Sequence, residues 1–426
     1  MNKAVGSYES AIGSYQSSVD SGRSSVFSGQ PLGSSHYCAV FSGQYSVVIH
    51  DSYRDQIGLL SGSVGRWLGL GVVMLCILLS SCVDKIEFPL NKGVEKLIVS
   101  GQLNNLRETQ YVYLSETTSL GREPLLSGSV FVLNDLPRPV SNAQVILRND
   151  SGGSWGYRMT KPGTYELERF DGLMPGAAYH IEIMVGGRSY RSAPEVLPEV
   201  IGSDKLSYAF ERGIFKNQPE TAFISIQTEV TLPEQLGGYY LRWDVDEAYF
   251  WNLTFFPNNF NGRPGDCIVF GRPDPERITL LNGDLLNRPG GVSAQVIAER
   301  IVDVSFLSRH YFNVSQTSIS KASFEYWRKI RGLVNNTGSV FDAPPAPIRG
   351  NVSNVNAPDE MVLGYFEVAN VSLTRIYTTR ADVPFFIEDV CTFSPTRSLN
   401  DYPKTCLRCS EFDNSVTEFP SWWFDP

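Results

Sequence analysis

Histidine and clustered positive charge are scarce in this 426-residue sequence. It contains 4 histidines, and its 36 Lys and Arg residues against 45 Asp and Glu residues give a net charge of −9. The Lys and Arg residues are scattered along the chain, whereas a nucleic-acid-binding protein neutralises phosphates with clustered cations. We therefore expect no nucleic acid among the partners of this chain.

Sequence motifs of the common hydrolases and nucleotide-binding enzymes are also missing. There is no His-Glu-x-x-His zinc motif and no Walker-type phosphate loop. Residues 152–156 read Gly-Gly-Ser-Trp-Gly, but a nucleophile elbow needs a strand before the serine and a helix after it, and this stretch is typical of a turn between strands. Beyond residue 82 the histidines are His180, in a predicted strand, and His310, beside Arg309 and Tyr311 at a predicted strand end. We expect no catalytic residues, metal or cofactor, and therefore no enzyme.

One apolar run near the N-terminus has the character of a targeting signal. After Arg66, residues 67–79 are an uncharged apolar stretch that is followed by Ser80, Ser81 and Cys82. A helix needs about 20 apolar residues to cross a bilayer, so this run is too short for a membrane span and suits the core of a signal peptide. Leu-Ser-Ser-Cys fits the lipoprotein signal, in which small side chains let the peptidase reach the bond before the acylated cysteine. The alternative is a buried apolar element that happens to end in cysteine, but the chain turns polar directly after Cys82.

Cys82 also divides the chain. We expect residues 1–65, which are rich in Ser and Gly and lack any strand or helix period, to be a disordered leader or the product of a start site assigned too early. Residues 66–81 are the predicted signal peptide, and residues 82–95 are a polar tether. Acyl chains on Cys82 anchor a protein to a membrane without spanning it.

Seven cysteines occur in the whole sequence. Four remain when the leader, the apolar run and the acylated residue are set aside, namely Cys267, Cys391, Cys406 and Cys409. An even number in an exported chain predicts two disulfides, with three connectivities open. The last two cysteines also have the spacing of half a zinc site, but no second closely spaced cysteine pair exists. We expect structural disulfides.

The remainder of the chain is predicted to be mainly β. Short runs rich in β-branched and aromatic residues recur downstream of residue 96 and are separated by Gly, Pro, Asn or Asp. Residues 179–185 alternate between apolar and polar side chains, which is the period of a half-buried strand. Residues 163–179 resemble a strand pair of immunoglobulin-like and fibronectin-like modules, in which a tyrosine packs and hydrogen-bonds at a corner. We expect an immunoglobulin-like β-sandwich over residues 96–195.

A second β-rich domain is predicted over residues 204–426, after a segment punctuated by proline and glycine. In residues 239–245 alternation places Leu241, Trp243 and Val245 on one face of a strand. Residues 320–332 break the β pattern. They begin with a serine suited to capping, end at glycine and place Phe324 and Trp327 on one side, so they predict an amphipathic helix packed on the second sheet.

Aromatic residues near the middle of this second domain are the first candidates for binding. Tyr249, Trp251, Phe255 and Phe256 lie in a turn-rich stretch with several asparagines. Exposed aromatic rings beside amides can stack on a ligand or mark a protein interface, and buried ones fill a core. Core packing is the interpretation we prefer, and a binding surface is the alternative.

Carboxylates form a second candidate group. Asp244, Asp246 and Glu247 are the densest acidic cluster, and two of them share a strand face. Such oxygens can bind Ca²⁺. We prefer a solvated face that is partly neutralised by Arg242.

The order of several motifs resembles one protein family. After the acylated cysteine come residues 96–101 (Lys-Leu-Ile-Val-Ser-Gly), the helix with Tyr-Trp, Phe-Asp at 341–342 and Ile-Arg-Gly-Asn-Val at 348–352. Leu-Gly-Tyr-Phe at 363–366 and the terminal Cys-x-x-Cys with Pro420 and a Trp pair follow. This order is similar to that of the Bacteroidetes-type outer-membrane lipoproteins catalogued as domain of unknown function 4249. The resemblance covers residues 82–426 and implies no catalytic residues.

The resemblance implies a cellular location more than a biochemical activity. Proteins of this family are outer-membrane lipoproteins, facing the periplasm or the cell surface, and are often associated with TonB-dependent receptors. We therefore expect a non-enzymatic binding or accessory lipoprotein that works with a TonB-dependent transporter. A structural or adhesive surface module is the alternative, and a hydrolase is a distant third.

Overall fold

The computed structural model describes residues 95–424 apart from 107–108, 119–136, 169, 171, 203, 235–236, 256–264, 287–289 and 337–346. The described residues belong to one compact unit. The predicted leader, signal peptide and acylated Cys82 lie outside them, as do Phe256 and the Phe-Asp pair at 341–342. No helix in the described part of the chain is long and apolar enough to cross a membrane.

The first half of the described chain is built from short strands. They are β1 (Leu97–Asn104), β2 (Gln110–Glu116), β3 (Arg138–Pro139), β4 (Gln144–Asn149), β5 (Ser154–Lys161), β6 (Thr164–Leu167), β7 (Ala178–Val185), β8 (Arg188–Ser192) and β9 (Glu195–Val196). The stretch that spells Gly-x-Ser-x-Gly enters β5 at its serine, and no helix follows, in agreement with the predicted turn between strands.

The second half has longer strands and one α-helix among the described residues. The elements are β10 (Asp204–Phe215), β11 (Gln218–Thr231), β12 (Tyr240–Trp251), β13 (Cys267–Gly271), β14 (Thr279–Asn282), β15 (Val292–Ile301), β16 (His310–Ile319), α1 (Lys321–Asn336), β17 (Val352–Asn354), β18 (Leu363–Thr378) and β19 (Ser415–Val416). Single 3-10 turns occur at Gly283–Leu285, Val304–Leu307, Arg380–Asp382, Leu399–Asp401, Lys404–Cys406 and Cys409–Glu411. The mainly β class with a helix in the second half is confirmed.

Most strands join one continuous hydrogen-bonded ladder. Its order is β17-β8-β7-β4-β5-β6-β2-β1-β18-β16-β12-β13-β19, with β14 on β12, β3 on β2 and β9 on β7. Strands β10, β11 and β15 form a separate antiparallel sheet. β1 and β18 are parallel, and the other described pairs are antiparallel. Because β18 is 16 residues long, it pairs with β1 through its first half and with β16 through its second half.

The first core lies among β1, β2, β4, β6, β7, β8 and β18. It contains the fully buried rings of Tyr165 and Tyr179. The Tyr165 hydroxyl donates to the Val140 carbonyl oxygen (3.0 Å) and accepts from the Ala143 amide (2.9 Å). Burying a tyrosine leaves its hydroxyl in need of partners, and backbone groups of the neighbouring loop supply them here. The predicted tyrosine corner is confirmed.

The second core lies between the three-stranded sheet and the ladder strands β12 and β16. Leu241 and Trp243 project into it, as the alternation of β12 predicted. The predicted boundary between residues 195 and 204 stays a prediction. β17 and the first half of β18 nevertheless pair with β8 and β1, so strands from the C-terminal half complete the N-terminal sheet.

Helix α1 begins where the sequence indicated and runs one turn further. The Ser320 hydroxyl accepts a hydrogen bond from the Ser323 amide (3.1 Å), so Ser320 caps the first turn. Phe324 and Ile330 are buried. Gly332 does not end the helix, because Val334 packs against the same cluster as Ile330, and a helical glycine costs only about 1 kcal/mol.

Two glycines of the family-like motifs occupy a crowded backbone crossing. Gly364 has a φ of +82°, and a Cβ atom there would clash with the carbonyl oxygen of Val99 on β1. A Cβ on Gly350 would clash with the carbonyl oxygen of Gly364. Three backbone segments meet at this point, and only residues without side chains let them approach.

Candidate functional site

Five ladder strands present a continuous face opposite the two cores, which we call the central face. In β1 and β2, Val99, Leu103 and Val112 enter the first core, so their neighbours in sequence point the other way. The register then aligns residues into rows across β2, β1, β18, β16 and β12. These rows include Tyr113–Ser100–Tyr365, Val371–Thr317–Arg242 and Leu373–Ser315–Asp244.

Both ends of the central face are covered by other parts of the chain. At one end α1 packs on it, with the Phe324 ring centroid 5.2 Å from that of Tyr240. At the other end the C-terminal segment packs on it, with Trp423 against Tyr311 at 4.8 Å and in the same cluster as Ala248. Between these covers the face lines a cavity of about 370 Å³. This is within the range of volumes typical of small-ligand sites.

An interruption in strand pairing widens this cavity on the β12 side. β13 pairs with residues 247–251 of β12, and β14 pairs with residues 240–243. Residues 244–246 therefore pair with β16 on one side and with neither of these strands on the other. The connecting loop, 272–278, contains Pro273 and Pro275, whose backbones cannot donate ladder hydrogen bonds. The loop bends away and lines the cavity.

A buried ion-pair network lies at the floor of the cavity. The Arg242 guanidinium is 3.2 Å from Glu367 (Nη2 to Oε2) and donates from Nε to Asp244 (3.1 Å). It also lies 4.2 Å from the centroid of the Trp327 ring on α1, a cation–π distance. The Glu367 carboxylate accepts further hydrogen bonds from Gln102 Nε2 (2.8 Å), Trp327 Nε1 (3.0 Å) and the Ser323 hydroxyl. These bonds fix the rotamers of side chains from β1, β12, β18 and α1.

Further charges around the cavity are also paired. Arg272 Nε donates to Asp246 Oδ1 (3.1 Å), and Arg277 Nε donates to Asp274 Oδ2 (2.9 Å). Arg242 neutralises Asp244, as expected from sequence, and Arg272 pairs with Asp246. The expected solvated face is wrong for Glu247, which is buried and pairs with Arg300. Among the described residues, no group of three or more His, Cys, Asp or Glu side chains is placed to hold a metal ion.

A neighbouring glutamate beneath the central face titrates near neutrality. Glu195 on β9 is buried and accepts a hydrogen bond from the Tyr365 hydroxyl. Burial raises the pKa of Glu195 to about 7, hydrogen bonds from Tyr365 and Ser320 oppose the rise, and the negative charge of Glu367 adds to it.

Glu247 and His310 belong to a different, sealed network. Alternation places Glu247 on the opposite side of β12 from Asp244 and Asp246, so the three carboxylates do not form one cluster. His310 Nε2 is 3.0 Å from Glu247 Oε2, and Arg300 Nε donates to the same oxygen (3.1 Å). Burial opposes ionisation of Glu247, but the hydrogen bond to His310 and the charge of Arg300 hold its pKa below the usual range.

This network has the composition of a Ser-His-Glu triad without its geometry. The Ser305 hydroxyl lies 3.4 Å from His310 Nδ1, but it donates to Asp303 at 2.6 Å instead. The His310 side chain is 0% exposed and is stacked on the ring of Phe306 at 4.2 Å. Ser305 and His310 are both buried and the Ser305 hydroxyl is bonded to Asp303, so the arrangement fits a structural role.

Three of the four aromatic candidates are buried, and the fourth, Phe256, lies outside the described residues. Tyr249 and Trp251 share the side of β12 that carries Glu247, and the Trp251 indole donates to the Thr405 carbonyl oxygen (3.0 Å). Phe255 packs edge-on against Tyr402 at 5.0 Å. These three side chains therefore form core and no exposed binding surface, because the C-terminal segment folds back over them.

Two disulfides hold that segment in place. Cys267 at the start of β13 is bonded to Cys409, and Cys391 is bonded to Cys406. The closely spaced Cys406 and Cys409 are thus joined to different partners and do not bond to each other. The Cys267–Cys409 bridge joins residues 142 positions apart. It links the C-terminal segment, whose described elements are β19 and short 3-10 turns, to the central ladder.

Sequence reasoning missed the Arg242–Glu367 network. Its members come from four segments, and Gln102 and Glu367 are 265 positions apart. One signal was present in the sequence: Glu367 is a lone charge within the apolar run 361–368. A charged residue in a buried strand has to be paired, so the run itself indicates that a cation lies nearby.

Comparison with known proteins gives one strong result. The family model described as "Domain of unknown function (DUF4249)" matches residues 83–375. A comparison with curated proteins found no match. Among solved structures, one titled "Biofilm associated protein - BSP domain" aligns at 7% identity and a TM-score of 0.14, over 65% of this chain and 58% of that one. At that score the alignment carries no argument.

Proposed function

This chain belongs to the DUF4249 family. We propose that it is a lipid-anchored outer-membrane binding protein that works as an accessory to a TonB-dependent transporter. The observation that carries the proposal is the cavity on the central face. Its floor is built from four distant segments and rigidified by shared hydrogen bonds, as binding sites require.

A binding role is favoured over catalysis by the state of the titratable groups. The Ser305–His310–Glu247 arrangement is closed to solvent, and the cavity carboxylates are paired with arginines. A general base needs access to a substrate proton, and a nucleophile needs a base to activate it. Neither condition is met by the described residues of the cavity.

The anchor fits a protein that works close to a membrane partner. The tether between Cys82 and Leu97 is roughly 15 residues and spans at most about 50 Å when extended. A ligand held in the cavity therefore stays close to the bilayer surface.

Two measurements on the protein in its own host test the proposal. Labelling with palmitate should require Cys82, so Cys82→Ser should abolish the label and release the protein from the membrane fraction. Affinity purification of the acylated wild type in mild detergent should recover a large outer-membrane β-barrel protein. Cys76→Ser is the matched control, because this cysteine lies within the predicted signal core. A wild type that carries no acyl label, or that recovers no barrel partner, would overturn the proposal.

A further inference from the structure

The charges that line the cavity are paired, and its four carboxylates outnumber its three arginines. Arg242 is shared by Asp244 and Glu367, and Arg272 is paired with Asp246. An anionic ligand group would have to draw an arginine away from its carboxylate and leave that carboxylate buried and uncompensated, which is costly in a partly desolvated site. The cavity therefore disfavours ligands that bind through a carboxylate or sulfate group.

Uncharged hydrogen-bonding groups occupy the middle of the same surface. The Gln102 amide donates to Glu367 (2.8 Å) and accepts from Asn104 Nδ2 (3.0 Å), so both amides have a fixed orientation. Ser315 and Thr317 on β16, two strands away in the ladder, also line the cavity. Amides and hydroxyls each serve as donor and acceptor, which suits a ligand whose own groups do both.

Aromatic rings complete the lining. Tyr111 and Tyr113 on β2 are stacked on each other, with ring centroids 6.0 Å apart and planes within 4° of each other. Trp327 closes the opposite edge. Aromatic side chains beside oriented amides and hydroxyls match a ligand that has both apolar C–H groups and a rim of hydroxyl groups.

We infer that the cavity binds a neutral, polyhydroxylated ligand, an oligosaccharide without carboxylate or sulfate groups. This inference rests on the proposed binding function and specifies its ligand class. Paired charges orient the polar floor, the amides and hydroxyls form hydrogen bonds with the ligand hydroxyls, and the aromatic side chains contact its C–H groups.

A glycan microarray that carries neutral, uronic-acid-containing and sulfated oligosaccharides tests the inference with the acylated protein in detergent. The wild type should bind one or more neutral glycans. Gln102→Ala removes an oriented amide and should weaken that binding about tenfold, the effect of one lost hydrogen bond at the upper end of its range. Ser115→Ala, on β2 outside the cavity, is the matched control and should leave it unchanged. Thermal unfolding of each variant checks that it is folded.

A second variant tests the charge argument itself. Asp244→Asn leaves Arg242 with one carboxylate fewer, so it should gain binding to uronic-acid-containing glycans that the wild type does not bind. Wild-type binding to only the charged glycans, or to none on the array, overturns the inference. Recovery of a barrel partner is a separate measurement, so failure of the ligand class is distinguishable from failure of the accessory function.

Discussion

Replacement of the buried Glu195 by glutamine should change how the stability of the protein depends on pH. The carboxyl has no cation beside it among the groups that shift its pKa, and burial raises that pKa from 4.5 to about 7. Below pH 4.5 the group is protonated in both folded and unfolded chains, so it carries no ionisation penalty. As pH rises from 4.5 to 7, the unfolded chain loses the proton first, and the wild type loses stability.

The size of this loss follows from the two pKa values. Each pKa unit corresponds to 1.36 kcal/mol, so the wild type should lose about 3 kcal/mol between pH 4.5 and pH 8 through this group alone. Glutamine keeps the oxygen that accepts from Tyr365 and does not titrate. The stability of Glu195→Gln relative to the wild type should therefore be greater at pH 8 than at pH 4.5 by that amount.

Urea unfolding at both pH values, with the disulfides intact, measures the difference. Taking the difference between the free energies of unfolding at the two pH values removes any pH-independent cost of burying the glutamine amide. Glu229→Gln is the matched control, because this glutamate lies on the exposed side of β11. Parallel pH profiles for the wild type and Glu195→Gln would refute the reasoning, since they would mean that the carboxyl titrates alike in both states.

Three further substitutions test the framework around the cavity. Arg242→Ala leaves Glu367 buried without its cation and should cost about 3–5 kcal/mol in urea unfolding; a loss below 1 kcal/mol would contradict the network. Cys409→Ser removes the longer bridge and should cost about 2–5 kcal/mol, with faster tryptic cleavage of the C-terminal segment as the readout; unchanged cleavage would show that other contacts hold the segment. Gly364→Ala forces a Cβ atom against the Val99 carbonyl oxygen at a residue with positive φ, so the variant should not fold to the native circular dichroism spectrum. A native spectrum would contradict the close backbone approach at Gly364.

Local patterns predicted a large part of the fold. The alternation in β12 correctly assigned Leu241 and Trp243 to the core, and the serine before α1 marked its first turn. The end of α1 was less accurate, because Gly332 is only a weak stop and packing of Val334 outweighs it. Each correct prediction depends on residues within a few positions, where propensity and periodicity operate.

The candidate site was far less accessible to sequence reasoning. Tyr249, Trp251 and Phe255 are buried, as the interpretation preferred from sequence had it, but the segment that covers them lies some 150 positions later and could not be identified from sequence. The carboxylates Asp246 and Glu247 are adjacent in sequence but lie on opposite sides of β12, in separate networks. For both groups, closeness in sequence did not predict which residues are in contact in the folded protein.

The sequence by itself determined the β class, the helix, the number of cysteines available for bridges and the family. Only the tertiary structure decided which cysteines pair, which face stays uncovered and that Arg242, Glu367, Gln102 and Trp327 meet in one network. The physical reason is the range of the interactions. Whether a segment forms a strand or a helix depends on residues close to each other in sequence. The order of the strands, including the parallel pairing of β1 with β18, depends on packing between segments that are far apart in sequence. Many other strand orders would be compatible with the same local sequence patterns.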